Sequence, residues 1–322
     1  MPPAQPATGA GGSDYIHKSV TALGPYYPSA KQGNNNFRYF IYQPASPKPA
    51  AAPIAVFFHG MGANNPEVYT LWMQHLAKKG YTVIWLQYTA FPYPGLDADN
   101  NAMESYADAL VRIQSDSRLV QPSRDAYGIM ETGFVGHSLG SYVAMQVAGL
   151  AAQSGSPVPA PKGYFSAGAG LSLFEPIAAT VPWSLKAVFL IGADDFVVCK
   201  SGTSSIWNQT PQILAENKSL IVMQSDTHGT RPLTADHAFP LTTQGFSLAV
   251  DARDYYGSWK HSVGALDCAI RGTACETYLA NGTSEQLNMG VWSDGVPVTP
   301  MKWFANPAAA TLPCEANSSS KF

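Results

Sequence analysis

Short unbroken apolar runs alternate along the chain with longer stretches in which apolar residues recur every third or fourth position. The runs are Ile54-Ala-Val-Phe-Phe58, Thr82-Val-Ile-Trp-Leu86, Gly133-Phe-Val-Gly136, Ala187-Val-Phe-Leu-Ile191 and Leu220-Ile-Val-Met223. None offers a polar face to water, so each predicts a strand covered on both sides, the habit of parallel sheets. Phe37 to Tyr42 alternates and predicts an early strand, and Lys162 to Ala167 a weaker one. Between them, Glu67 to Lys79 carries Tyr69, Trp72, Met73 and Leu76 at helical spacing, with Gly80 placed as a C-terminal cap. Asn101 to Ser115, Ser141 to Ala152 and a shorter stretch at Gln212 to Asn217 predict further helices. Strands alternating with helices in this way predict an α/β fold, a mostly parallel central sheet with helices on both faces. Residues 1–36 read as an N-terminal tail and early segment. Residues 37–322 read as one domain with a long C-terminal extension after about residue 241, helical around Asp251 to Ile270.

Composition narrows the classes. Nineteen Lys and Arg face 22 Asp and Glu, a net charge of −3, so no positive excess exists to neutralise a nucleic-acid backbone. Only 13% of the 322 residues are charged while 46% are hydrophobic, which excludes disorder for the bulk of the chain. No apolar run is long enough to span a bilayer. The opening MPPAQPATGAGGS lacks the basic and apolar regions of a signal peptide and reads as a flexible tail. Cys199, Cys268, Cys275 and Cys314 form no CxxC pair, against a structural zinc site. Two disulfides are allowed, with Cys268 and Cys275 able to close a short loop, and four buried thiols are the other reading. Low charge with abundant Asn, Gln, Ser and Tyr favours a secreted or periplasmic protein, a cytoplasmic one staying open. The oligomeric state is left open.

The sharpest local feature is Gly136-His137-Ser138-Leu139-Gly140, between a buried strand and an Ala-rich helix. A serine lifted above a sheet edge needs a very tight strand-to-helix turn, and small residues two before and two after it let the chain bend. The following helix points its first amides at any developing negative charge. With this motif in this context the chain resembles the α/β-hydrolase superfamily over roughly residues 37–240. The resemblance implies a serine nucleophile, an acid on a later strand and a histidine after the last strand, in that order.

Ser138 matches the nucleophile position. Gly192-Ala-Asp-Asp195 follows the strong strand ending at Ile191 and matches the acid loop, with Asp195 expected as the acid and Asp194 competing. His228, just beyond the strand Leu220 to Met223, is the expected base, and His237 is the second candidate. His59-Gly-Met-Gly62 resembles the oxyanion loop, which would make the backbone N–H groups of Met61 and Leu139 the two donors. His137 flanks the nucleophile and is expected to have no catalytic role.

Gly60-Met61-Gly62 is not a dinucleotide fingerprint, because Asn65 stands where the third glycine belongs and no acid ends the next strand. No P-loop and no HExxH motif occurs, and no cofactor or metal is expected. The expected activity is hydrolysis of carboxylic esters through an acyl-enzyme. An acyltransferase or peptidase on the same triad, or a non-catalytic binding protein that has kept the fold, stay open. The substrate, on this reading, is a small-molecule or polymeric ester. Tyr88, Phe91, Tyr93 and Trp183, with Phe174, are the aromatic residues expected to line the cleft. Polyester and cutin hydrolases share the plan, but their usual G-x-S-M-G elbow is G-H-S-L-G here.

Overall fold

The computed structural model describes residues 1–89, 97–170, 176–242, 250–279 and 282–315. In chain order the strands are β1 (Ser19–Tyr26), β2 (Tyr39–Ala45), β3 (Ala51–Ala52), β4 (Ile54–Phe58), β5 (Thr82–Leu86), β6 (Gln121–Pro122), β7 (Thr132–His137), β8 (Gly163–Ala167), β9 (Lys186–Gly192), β10 (Lys218–Met223) and β11 (Lys302–Phe304). The helices are α1 (Thr70–Lys78), α2 (Ala98–Ser115), α3 (Leu139–Ala151), α4 (Ser201–Gln209), α5 (Trp259–Leu266), α6 (Cys275–Tyr278) and α7 (Ser284–Leu287). Among the described residues, nine strands form one sheet in the order β1-β2-β5-β4-β7-β8-β9-β10-β11, and β3 pairs with β6 apart from it.

The six central strands, β5 through β10, run parallel, and β2 and β11 join antiparallel at either side. The apolar runs explain this middle. Alternate residues of each run serve opposite faces. In β4, Ile54, Val56 and Phe58 pack on one side with Tyr106 of α2 and Val143 and Val147 of α3. Ala55 and Phe57 pack on the other with Trp72 and Leu76 of α1 and Val263 of α5. The same division runs through β9, with Phe189 on the first side and Val188 and Leu190 on the second. A hydrogen bond of 2.9 Å from Trp72 Nε1 to Ser262 Oγ ties α1 to α5. The fold is therefore an α/β sandwich, mostly parallel, with helices on both faces.

Three features depart from the sequence expectation. Residues 19–26, assigned to the tail and early segment, form the edge strand β1, paired with β2 in register Ser19 to Ala45. Gln212 to Asn217 is no α-helix: only a 3₁₀ turn forms at Ala215–Asn217, and the helix of that crossover is α4. The C-terminal extension returns to the sheet as β11 against β10. That extension is fastened covalently by the Cys199–Cys314 disulfide, and Cys268 bonds Cys275 to close the expected short loop, so of the two cysteine readings the structure has the disulfides. Among the described residues, no helix is long and apolar enough to cross a membrane.

Candidate active site

Ser138 stands between β7 and α3, as the N-cap of the helix, with φ 53° and ψ −126°, a region that side chains with a Cβ seldom occupy. Such a backbone costs about 1–3 kcal/mol and persists only where the surroundings enforce it. Here the Ser138 N–H donates to the Ala167 carbonyl and the Ser138 carbonyl accepts from Ser141 N–H, each at 3.0 Å. The flanking glycines are steric necessities. A Cβ on Gly140 would lie 2.2 Å from the Phe58 carbonyl oxygen, and one on Gly136 would lie 2.6 Å from Ser141 Cα.

Ser138 Oγ lies 2.9 Å from Nε2 of His237, and Nδ1 of His237 lies 2.8 Å from Oδ2 of Asp195. Asp195 is fully buried, and its other oxygen accepts the backbone N–H groups of Val197 and Val198, each at 3.0 Å. A carboxylate only accepts, so the His237 proton sits on Nδ1 and the Nε2 lone pair faces the serine hydroxyl. The side chains thus form a directed chain from hydroxyl to imidazole to carboxylate.

The expected base, His228, is not part of it. Its Nε2 lies 2.7 Å from Asp294 Oδ2, its ring packs on Trp292, and more than a third of the side chain is exposed. The cause is a turn beyond β10, where the N–H groups of Asp226 and Leu233 each bond the other's carbonyl. That closure throws residues 227–232 outward and returns the chain to the sheet edge. There the Asp194 N–H donates to the Ala235 carbonyl at 3.0 Å. Two residues later comes His237. Asp194 faces away from the imidazole: its carboxylate accepts from Ser225 Oγ, which in turn accepts the Ala235 N–H.

The loop after β4 touches Ser138, since a Cβ on Gly60 would lie 3.2 Å from Ser138 Cβ. The Gly60 carbonyl accepts from Nδ1–H of His59 at 2.7 Å and from the Ala63 N–H at 3.0 Å. In a trans peptide the next N–H points the opposite way, so these two bonds orient the Met61 amide. Burial pushes the His59 pKa down to about 4, which keeps the ring neutral. The Leu139 amide is the first of α3, where helical N–H groups have no intrahelical acceptor. Neither amide donates a hydrogen bond among the described residues.

The aromatic residues fare differently. Tyr88 is fully buried: its hydroxyl donates to the His59 carbonyl and its ring stacks on that imidazole at 4.5 Å. It is a support of the His59 loop and offers no surface to a substrate. Phe91, Tyr93 and Phe174 lie outside the described residues. Trp183 is exposed and makes no hydrogen bond or ring contact among the described residues. Sequence reasoning named Met61 only for its backbone N–H and did not single out Phe196 or Val197, yet all three are exposed apolar side chains on the loop after β4 and the loop of Asp195. It also passed over Gly168, at φ +50°, where a Cβ would sit 3.1 Å from Asp195 Oδ2 and 3.4 Å from His237 Nδ1. Its position directly after β8, the strand paired with β7, was the available signal.

Cys199 lies four residues beyond Asp195, so its disulfide to Cys314 ties the loop of Asp195 to the C-terminal extension. An ion pair of 2.8 Å between Lys200 and Glu315 runs beside it. Among the described residues, no group of three or more His, Cys, Asp or Glu side chains could hold a metal ion. No protein-family model matches the chain, and no curated protein matches it.

Proposed function

We propose that the chain is a serine carboxylic-ester hydrolase of the α/β-hydrolase type. The observation that carries the reading is the hydrogen-bonded run Ser138–His237–Asp195, mounted on a serine held at positive φ at the mouth of a helix. In acyl transfer, Ser138 Oγ attacks the ester carbonyl carbon while His237 Nε2 takes the hydroxyl proton. The tetrahedral oxyanion is met by the amides of Met61 and Leu139, a single such donor being worth about 3–4 kcal/mol to the transition state. His237 then gives its proton to the departing alcohol oxygen, leaving an acyl-serine. Water, deprotonated by the same nitrogen, attacks that acyl group, and the serine regains its hydrogen as the acid leaves. Asp195 holds Nδ1–H in place and offsets the positive charge of the imidazolium throughout.

The exposed apolar side chains of Met61, Phe196 and Val197 beside this machinery suit esters with apolar acyl or aromatic groups. Two disulfides are compatible with export to an oxidising compartment. A panel of p-nitrophenyl esters of rising acyl length, with aromatic esters beside them, tests the activity in wild type and Ser138→Ala. Hydrolysis that disappears in the variant, together with labelling of Ser138 by a fluorophosphonate, is the expected result. Equal turnover in the two proteins rules out Ser138 as nucleophile.

A further inference from the structure

His137, next to the nucleophile, is almost wholly enclosed. Its Nδ1 lies 2.8 Å from the Tyr69 hydroxyl and its Nε2 lies 3.1 Å from the His237 backbone carbonyl. A carbonyl only accepts, so Nε2 carries the proton and Nδ1 accepts from the tyrosine. The tyrosine oxygen keeps a lone pair for the Gly60 N–H, which donates to it at 2.9 Å. Burial first, and the neighbouring His237 second, push the His137 pKa down to about 3, so the ring stays neutral and this order of donors is preserved at neutral pH.

A one-way run of hydrogen bonds results: Gly60 N–H to Tyr69, Tyr69 O–H to His137, His137 N–H to the His237 carbonyl. It begins on the loop that presents the Met61 amide, passes through the residue beside Ser138, and ends on the backbone of the base. Partners 68 and 100 residues apart in sequence are joined this way. Both ring nitrogens of His137 are committed, so the residue has no free site with which to take a substrate proton. The space is filled as well, because a Cβ on Gly60 would lie 3.0 Å from His137 Nδ1 and 3.3 Å from the Tyr69 hydroxyl.

We propose that Tyr69 and His137 are positioning residues that fix the base loop and the oxyanion loop relative to each other across the nucleophile. The inference rests on the reading of Ser138 as the nucleophile of an ester hydrolase. A displacement of about 1 Å between groups that must act together costs on the order of 10²-fold in rate. Loss of the run should therefore lower turnover while leaving apolar binding of the ester intact.

The test compares wild type with Tyr69→Phe, His137→Leu, His137→Gln and the Tyr69→Phe/His137→Leu double variant. Active sites are counted with a fluorophosphonate, and kcat and KM for a p-nitrophenyl ester are expressed per labelled site, which confines the comparison to folded molecules. Tyr69→Phe and His137→Leu should each lose about 10- to 100-fold in kcat with KM within about twofold of wild type. His137→Gln, whose amide still offers an N–H toward the His237 carbonyl, should recover part of that loss. The double variant should be no worse than the poorer single one, because each substitution breaks the same run. Wild-type kcat per labelled site in both single variants, or losses that multiply in the double, would overturn the proposal. A wild type that is not labelled at Ser138 overturns the hydrolase reading beneath it. A labelled wild type with unaltered variants removes only the positioning role.

Discussion

Replacing Asp195 by Asn changes one oxygen to an amide and removes one charge, yet the surroundings make it severe. The carboxylate accepts from Val197 and Val198 with one oxygen and from His237 with the other. An asparagine that keeps its oxygen on the two backbone amides must turn its NH₂ toward His237. The ring then accepts at Nδ1, its proton moves to Nε2, and that N–H points at Ser138 Oγ, where it cannot receive the serine proton. The flipped amide would restore the tautomer but would press its NH₂ against two backbone N–H groups. Each buried donor left unpaired costs about 1–3 kcal/mol, so the productive orientation lies about 2–6 kcal/mol above the other. At about 1.36 kcal/mol per decade this predicts a fall in kcat of roughly 30- to 3 × 10⁴-fold. The upper end matches the loss of about 10⁴ for such a substitution in a serine-protease triad. Steady-state hydrolysis of a p-nitrophenyl ester at neutral pH measures it, with Asp194→Asn as the control. Asp194 bonds only Ser225 and the loop around it, so its variant should stay within about tenfold of wild type. An Asp195→Asn enzyme as fast as wild type, or a larger loss in Asp194→Asn, would refute the reasoning.

The two histidines should separate just as cleanly: His237→Ala should lower kcat by about three or more orders of magnitude. His228→Ala should leave kcat unchanged and the urea midpoint close to that of wild type, since its pair with Asp294 is largely exposed; the opposite ranking would return the role to His228. The disulfides differ in the loops they close, 115 residues apart for Cys199–Cys314 and 7 for Cys268–Cys275. Chain-entropy arithmetic gives about 5 and about 2.5 kcal/mol respectively, so urea unfolding of Cys314→Ser should show the greater loss than Cys268→Ser, and a reversed order contradicts this account. Burial lowers the pKa of His59 to about 4 and of His75 and His137 to about 3, so all three are neutral in the fold and must charge on unfolding in acid. The unfolded chain then binds more protons between pH 6.5 and about 4, and stability should fall as pH falls through that window by at most about 1.4 kcal/mol per unit for each histidine. A urea midpoint that does not move between pH 6.5 and 4.5 would show that these rings are not held neutral.

The sheet was legible wherever burial on both faces leaves the sequence no choice. Ile54 to Phe58 and Thr82 to Leu86 are strands to the residue, because a helix of that composition would expose apolar groups on some side. Edge elements carry no such mark. β1 reads Ser-Val-Thr-Ala-Leu-Gly-Pro-Tyr and is mostly exposed, so nothing distinguishes it from a tail. β11 is three residues long and is specified by its antiparallel partner, β10. α4 reads Ser-Gly-Thr-Ser-Ser-Ile-Trp-Asn-Gln, rich in weak helix formers, and Ile206 is its one large fully buried anchor in the core. Tertiary contact, not propensity, makes it helical.

The site divides along the same physical line. Ser138 was legible because the strained turn demands its two glycines locally, and Asp195 because it follows directly on a strand whose end is fixed by its own apolar run. His237 is different, since its place depends on how the chain beyond β10 comes back to the sheet. Proximity to the strand end favoured His228, on the premise that the chain stays at the catalytic edge after Met223. The premise fails at Asp226. Its carboxylate accepts the Thr299 N–H at 2.7 Å, the Thr299 hydroxyl at 3.0 Å and the His228 N–H at 2.8 Å, and so seats the turn on the C-terminal extension. Residues more than seventy positions away therefore decide which of two histidines reaches the serine. A contact of that range leaves no periodicity in the sequence. What the sequence does carry is the condition for the return. Residue 192 must lack a side chain, for the backbone of Ala235 passes over it and a Cβ there would lie 2.2 Å from the Ala235 carbonyl oxygen. Gly192 thus lets the loop of Ala235 lie close against the end of β9, and His237 follows two residues after Ala235 because that is where the chain has come to rest beside Asp195.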